Sequence, residues 1–85
     1  MSGRVVFARQ GWDDYCSWVD DRKTLRKINR MIDEALRDPG LGIGKPEKLS
    51  ANLAGYWSRR ITDEHRLVYR TVGDDLVVIQ ARYHY

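Results

Sequence analysis

Between positions 39 and 55 the chain changes character, and that change limits what it can fold into. Pro39, Gly40, Gly42, Gly44, Pro46 and Gly55 punctuate the segment, and neither a period of 2 nor one of 3.6 survives in it. Upstream, apolar residues recur at helical spacing. Downstream, β-branched and aromatic residues gather into short runs. Helices before such a divide and strands after it read as α+β, with a two-helix hairpin packed on an antiparallel sheet. The 85 residues give material for one domain, spanning 1–85.

The first half opens with Val5-Val6-Phe7, which reads as a strand near 4–8. Trp12, Tyr15, Cys16 and Val19 then form the stripe of a short amphipathic helix. Asp13 and Asp14 fall in its first turn on this reading, at the positive end of the helix dipole. Asp20 and Asp21 offer N-caps to a second helix, whose apolar stripe is Leu25, Ile28, Ile32, Ala35 and Leu36. Arg22, Lys23, Arg26, Lys27 and Arg30 coat its other faces. Arg30 with Glu34 and Asp33 with Arg37 are spaced as i, i+4 ion pairs. Pro39-Gly40 ends the helix.

The divide itself reads as a long ordered loop with a turn of helix around 49–53; loops of this length are often functional. Three strands follow, over 56–61, 66–72 and 76 to about 84. Gly73-Asp74-Asp75 joins the last two as a hairpin. A three-residue turn there pairs Val72 with Leu76 and, further along, Arg66 with Arg82. His84 then shares the face of Arg82 and lies diagonal to Arg66, about 7–8 Å away at Cα. Two arginines facing each other are unfavourable without an anion between them. Tyr83 falls on the opposite, core-facing side; Tyr85 shares its parity, but as the terminal residue it is free to curl back.

Composition narrows the function classes. The net charge is +3 and the pI is near 9.2, which permits an RNA or an acidic protein as partner. Trp12, Trp18 and Trp57 with five tyrosines suit a thin core and could also stack on bases. Cys16 is the one cysteine, so no intrachain disulfide and no cysteine metal cluster can form; it reads as a small half-buried residue in a reducing, cytoplasmic setting. The apolar run at the N-terminus is too short for a signal peptide, and no stretch approaches the roughly 20 apolar residues that span a bilayer.

With His65 and His84 as the only histidines and no HExxH, a catalytic metal site is not expected, and no cofactor is either. The alternating Gly40, Gly42 and Gly44 lack the GK[ST] of a phosphate loop. RNA, however, can be cut without a metal by attack of its own 2′-OH. That reaction needs a base, an acid and positive charge on the phosphoryl oxygens. His84 suits the acid, since an imidazole titrates near neutral pH. Arg66 suits the phosphate clamp. Glu47 sits in Gly44-Lys45-Pro46-Glu47-Lys48, where Lys45 and Lys48 flank it and could also touch phosphate. Arg59 and Arg60 alternate along a strand, so only one of them can face the site. His65 reads as structural, with Thr62-Asp63-Glu64 offering local hydrogen bonds.

Trp12-Asp13-Asp14-Tyr15, Gly44-Lys45-Pro46-Glu47, Trp57 to Thr62, Glu64 to Tyr69 and Arg82-Tyr83-His84-Tyr85 together resemble the YoeB (Txe) toxins of the RelE-like mRNA interferases. The resemblance covers nearly the whole chain. It implies a bacterial type II toxin with a microbial-ribonuclease-like fold, which cuts mRNA in the ribosomal A site. It also implies a YefM-like antitoxin, a 70S ribosome and mRNA as partners, operator DNA bound only as the toxin–antitoxin complex, and a homodimer. On the residues, it places the catalytic glutamate at Glu47, the transition-state arginine at Arg66, the histidine at His84, the terminal tyrosine at Tyr85 and a further arginine at Arg60. Here the sequence departs from the family's Pro-Glu-Pro-Leu-Lys: Lys48 stands at the second proline and Ser50 at the lysine. The competing reading is a module that blocks the ribosome, or co-represses transcription with a partner, without cutting. In that case the basic face of the second helix carries the binding.

Overall fold

The computed structural model describes residues 3–83. The chain runs β1 (Val5–Phe7), α1 (Arg9–Cys16), α2 (Arg22–Arg37), β2 (Glu47–Lys48), a 3-10 turn (Ala51–Leu53), β3 (Trp57–Arg60), β4 (Arg66–Val72) and β5 (Asp75–Gln80). The strands form one sheet in the order β1-β5-β4-β3-β2. The α+β reading holds, with one difference of detail. β1 joins the sheet parallel to β5, so the sheet is mixed and its C-terminal strands are antiparallel.

α2 forms as its sequence dictates. The Asp21 carboxylate accepts from the Thr24 amide and hydroxyl, capping the first turn. Both expected ion pairs are present, Arg30–Glu34 at 3.1 Å and Arg37–Asp33 at 3.4 Å. Ile28, Met31, Ile32 and Ala35 are buried against Leu67, Tyr69, Leu76 and Val78 of the sheet. Met31 completes the stripe that spacing outlined.

α1 packs differently from its expected stripe. The helix starts at Arg9, which moves Asp13 and Asp14 out of the first turn. Trp12 is 49% exposed, and Val19 and Cys16 are exposed as well. The packed face is Gly11 and Asp14 with Tyr15 of the expected stripe half-buried beside them, and Trp18 buried just past the helix end. The reason is at Gly11: a Cβ there would come within 2.3 Å of the Val78 carbonyl oxygen, so the missing side chain lets helix backbone lie directly on β5. Asp14, nearly buried, is a polar contact in this interface rather than a dipole partner.

The β4–β5 hairpin also corrects the expected register. The turn has two residues, Gly73 and Asp74, with Gly73 at φ +59°. Val72 therefore pairs with Asp75, and the offset persists to Tyr69↔Val78. A bulge then restores the expected register at Val68↔Gln80. Past Gln80 the strand ends. Arg66 does not meet Arg82 across a ladder, because its amide donates to the Tyr83 carbonyl at 3.0 Å.

In the loop segment, a helical turn occurs at Ala51–Leu53, within the expected stretch. The short strand β2 was not legible. It pairs antiparallel with β3, Glu47 opposite Ser58 and Lys48 opposite Trp57.

Candidate active site

Strand parity divides the central sheet into two faces. Trp57, Arg59, Leu67 and Tyr69 face α2, where Leu67 and Tyr69 are core. Ser58, Arg60, Arg66 and Val68 face the other way. Of the adjacent arginines, Arg60 is therefore the one on the outer face. It pairs directly with Arg66, so two guanidinium-bearing residues stand opposite each other at the sheet end. Glu47 joins them because its partner Ser58 shares that face. Its Oε1 lies 3.1 Å from Arg66 Nη1, and the same nitrogen donates to Ser58 Oγ at 3.2 Å. Glu47 remains half exposed, and the Arg66 side chain is 17% exposed.

The loop that delivers Glu47 is organised by a residue that sequence reasoning left unassigned. Arg59 is fully buried. Its guanidinium donates to the carbonyls of Asp38, Leu41 and Ile43, at 2.5–3.1 Å, and to the Tyr69 hydroxyl at 2.8 Å. The Tyr69 hydroxyl passes the chain on to the Pro39 carbonyl at 2.6 Å. Glu34 balances the charge from α2, 3.6 Å from Arg59, and accepts the Ile43 amide at 2.8 Å. That amide bond is the main cause of a Glu34 pKa below the ordinary carboxylate value, and Arg30 and Arg59 add to it. Gly44 and Lys45, at φ +88° and +50°, then turn the chain sharply. The Gly44 carbonyl accepts from the Arg60 amide at 2.6 Å, and Pro46 leads into β2.

A second arm brings the C-terminal residues to the same sheet end. Asp14 accepts the Ala81 amide at 3.0 Å, and Trp18 Nε1 donates to the Ala81 carbonyl at 2.8 Å. Arg82 stacks over the Trp18 ring at 4.1 Å and donates to Ser17. This places Arg82 against the helices. The expected anion between Arg66 and Arg82 thus has no basis; the facing arginines are Arg60 and Arg66. Gln80 donates to the carbonyls of Arg82 and Tyr83, and Tyr83 adopts φ +62°. Tyr83 is exposed, not core-facing. His84 and Tyr85 lie outside the described residues.

The remaining expected site residues separate. Lys45 is exposed at the turn before Glu47. Lys48 alternates to the other face of β2, with its ammonium 5.5 Å from the Trp57 ring centre, yet it lines the same shallow hollow as Glu47. Ser50 lines a shallow hollow next to Glu47, together with Asn52 and Leu53. A larger hollow, between the end of α2 and the β4–β5 turn, contains none of these residues. Among the described residues, no three His, Cys, Asp or Glu side chains gather as a metal site, and no helix is long and apolar enough to cross a membrane.

Comparison with known proteins places this geometry. Residues 7–85 match the model of the YoeB-like toxin of bacterial type II toxin–antitoxin systems. Toxin YoeB of Streptomyces coelicolor is 55% identical over 83 residues, covering 96% of this chain and 99% of that one. The YoeB of the heterotetrameric YoeB–YefM complex from Staphylococcus aureus is 40% identical, with a TM-score of 0.88 and full coverage of both chains. The YoeB dimer from the same organism superposes with a TM-score of 0.89, at 40% identity over the whole of both chains. The architecture is that of RelE-like toxins. A helical hairpin on this sheet, with a glutamate held against paired arginines, is carried by a chain that belongs to the YoeB family of type II toxin–antitoxin toxins.

Proposed function

We propose that this toxin is an endoribonuclease that cuts mRNA in the A site of the 70S ribosome, without a metal, and so arrests translation in the bacterial cytoplasm. The observation that carries the reading is the Glu47–Arg66 pair at 3.1 Å, with Arg60 directly opposite Arg66. Like charges facing across a strand pair cost stability. Glu47 balances Arg66 in the free protein, and a scissile phosphate gives Arg60 and Arg66 a second, shared anion beside that carboxylate.

In the reaction, Glu47 takes the proton of the 2′-OH, and the 2′-oxygen attacks the adjacent phosphorus. The bond to the 5′-oxygen breaks as His84 protonates that oxygen. The products are a 2′,3′-cyclic phosphate and a 5′-hydroxyl. Arg66 stabilises the charge that develops on the phosphoryl oxygens, with Arg60, Lys45 and Tyr85 positioning the strand. Each proton-transfer role is worth about 10²–10⁴-fold in rate, and a transition-state donor about 10²–10³-fold. A YefM-like antitoxin neutralises the toxin, which is a homodimer in isolation. Operator DNA is bound only by the toxin–antitoxin complex. Both partner readings draw on the Staphylococcus aureus assemblies.

The test adds parent, Glu47→Ala, Arg66→Ala and His84→Ala to translating ribosomes and maps mRNA ends by primer extension. New ends from the parent, and their loss in all three variants, support the reading. Arrest with intact mRNA from the parent selects the blocking module instead, with the exposed Arg22, Lys23 and Arg26 of α2 as its binding face.

A further inference from the structure

His65 does more than close the turn before β4. Its amide donates to Thr62 Oγ1 at 3.2 Å, as a structural residue's would. Its ring, however, reaches forward to the C-terminal segment: the Tyr83 amide donates to His65 Nδ1 at 2.8 Å. Nδ1 can accept only when it carries no proton, so the ring proton sits on Nε2. The ring plane is set by two neighbours. It meets Trp18 edge-on, with centroids 4.9 Å apart at 86°, and it contacts the Tyr83 ring at 5.1 Å. Trp18 is itself buried and tied to the Ala81 carbonyl, so the imidazole is held on a fixed wall.

The position of that bond matters. Tyr83 stands in the left-handed region at φ +62°, a conformation unfavourable for a non-glycine residue. Its carbonyl is fixed by the Arg66 amide and Gln80, and its amide by His65. The residue bonded directly to His84 is thus oriented by an imidazole side chain immediately before the catalytic arginine. We propose that His65 is a positioning residue for the reaction: by accepting the Tyr83 amide, its Nδ1 sets the direction in which the chain enters His84. The inference rests on His84 as the acid, as given above. A displacement of about 1 Å in a reacting group can cost on the order of 10²-fold in rate. His65 therefore acts chiefly on turnover.

The test uses side chains that separate the ring from its acceptor. His65→Phe keeps a flat ring against Trp18 and loses the acceptor. His65→Asn places an oxygen near the Nδ1 position. His65→Gln, with its acceptor one atom too far, is the second variant if Phe does not fold. Cleavage of ribosome-bound mRNA by folded protein is expected to fall about 10- to 100-fold in kcat for Phe and Gln, with a smaller change in KM, and to return to within about 3-fold of the parent in Asn. Hydrogen exchange at the Tyr83 amide is expected to be slow in parent and Asn and fast in Phe. Equal cleavage by parent and Phe, or equal loss in Phe and Asn, overturns the inference. Should His84→Ala cut like the parent, the reading of the acid fails; the Tyr83 exchange rates then decide on their own whether His65 holds the tail.

Discussion

Two arms meet at one end of the sheet, and they are built in opposite ways. The loop arm, residues 38–48, carries Glu47 and is organised around one buried guanidinium. Arg59 satisfies carbonyls at Asp38, Leu41 and Ile43 that no strand partner serves. The tail arm, residues 81–83, is held by many small contributions from three places: Asp14 of α1 with Ser17 and Trp18 just past it, Gln80 of β5, and His65 with the Arg66 amide. A hub concentrates stability in one residue. A distributed clamp spreads it, so single losses shift geometry before they unfold anything. The difference teaches that an irregular loop can be fixed as firmly as a strand where one multidentate donor replaces the ladder.

Removing the hub gives the largest effect. Arg59→Met strands several carbonyls and the Glu34 carboxylate, and is expected to lower unfolding free energy by about 3–5 kcal/mol in urea titration. Arg59→Lys is expected to recover little, because an ammonium cannot reproduce the planar fork that reaches three carbonyls. If Arg59→Met costs no more than a tail substitution, the loop is not hub-organised. In the tail arm, Asp14→Ala leaves the buried Ala81 amide unpaired, and the expected loss is about 1–3 kcal/mol by the same titration. Cleavage is expected to fall further than the fraction unfolded explains.

These two predictions also mark what was legible in the sequence. Periodicity sufficed for α2, because its stripe packs on the core by side chains alone. It misled for α1, where Gly11 lets backbone meet backbone and the buried face centres on a glycine and an aspartate instead of the apolar residues. Parity gave the essential fact about Arg59 and Arg60, that they face opposite ways. It could not say which faced the core, since a fully buried arginine is rare unless paired. The signal that could have found it was the loop itself: glycine-rich backbone without a ladder partner needs a buried donor. The hairpin register failed at the turn and recovered at Val68 only because a bulge cancelled the error. Glu47 and Arg66 were both singled out from sequence. Their contact was not, because it runs through the two-residue strand β2, too short to carry a period.

A smaller effect sharpens the comparison at the point where the arms meet. Arg60→Ala removes the exposed member of the facing arginines, while Arg66 keeps its balance from Glu47, so stability is expected to change by less than about 0.5 kcal/mol while substrate binding weakens. A larger gain in stability would mean that Glu47 does not balance the pair. The smallest effect is an acid-side one. Glu34 has its folded pKa depressed below 4.5, chiefly by the Ile43 amide. The stability it adds is complete above that unfolded value and is lost as pH falls through the lower folded one. Glu34→Gln is expected to remove this part of the acid sensitivity, seen as a shallower fall of the unfolding midpoint below pH 4.5.

The central claim is that the loop arm supplies a base and the tail arm an acid to one arginine. It is tested most directly with ribosome-bound mRNA whose scissile 5′-oxygen is replaced by sulfur. A thiolate leaves without a proton, so it makes a general acid unnecessary. The expected result is that His84→Ala cuts this substrate at nearly the parent rate, while Glu47→Ala and Arg66→Ala stay impaired by about 10²-fold or more. A His84→Ala variant as impaired on the sulfur substrate as on the natural one contradicts the division of labour between the arms.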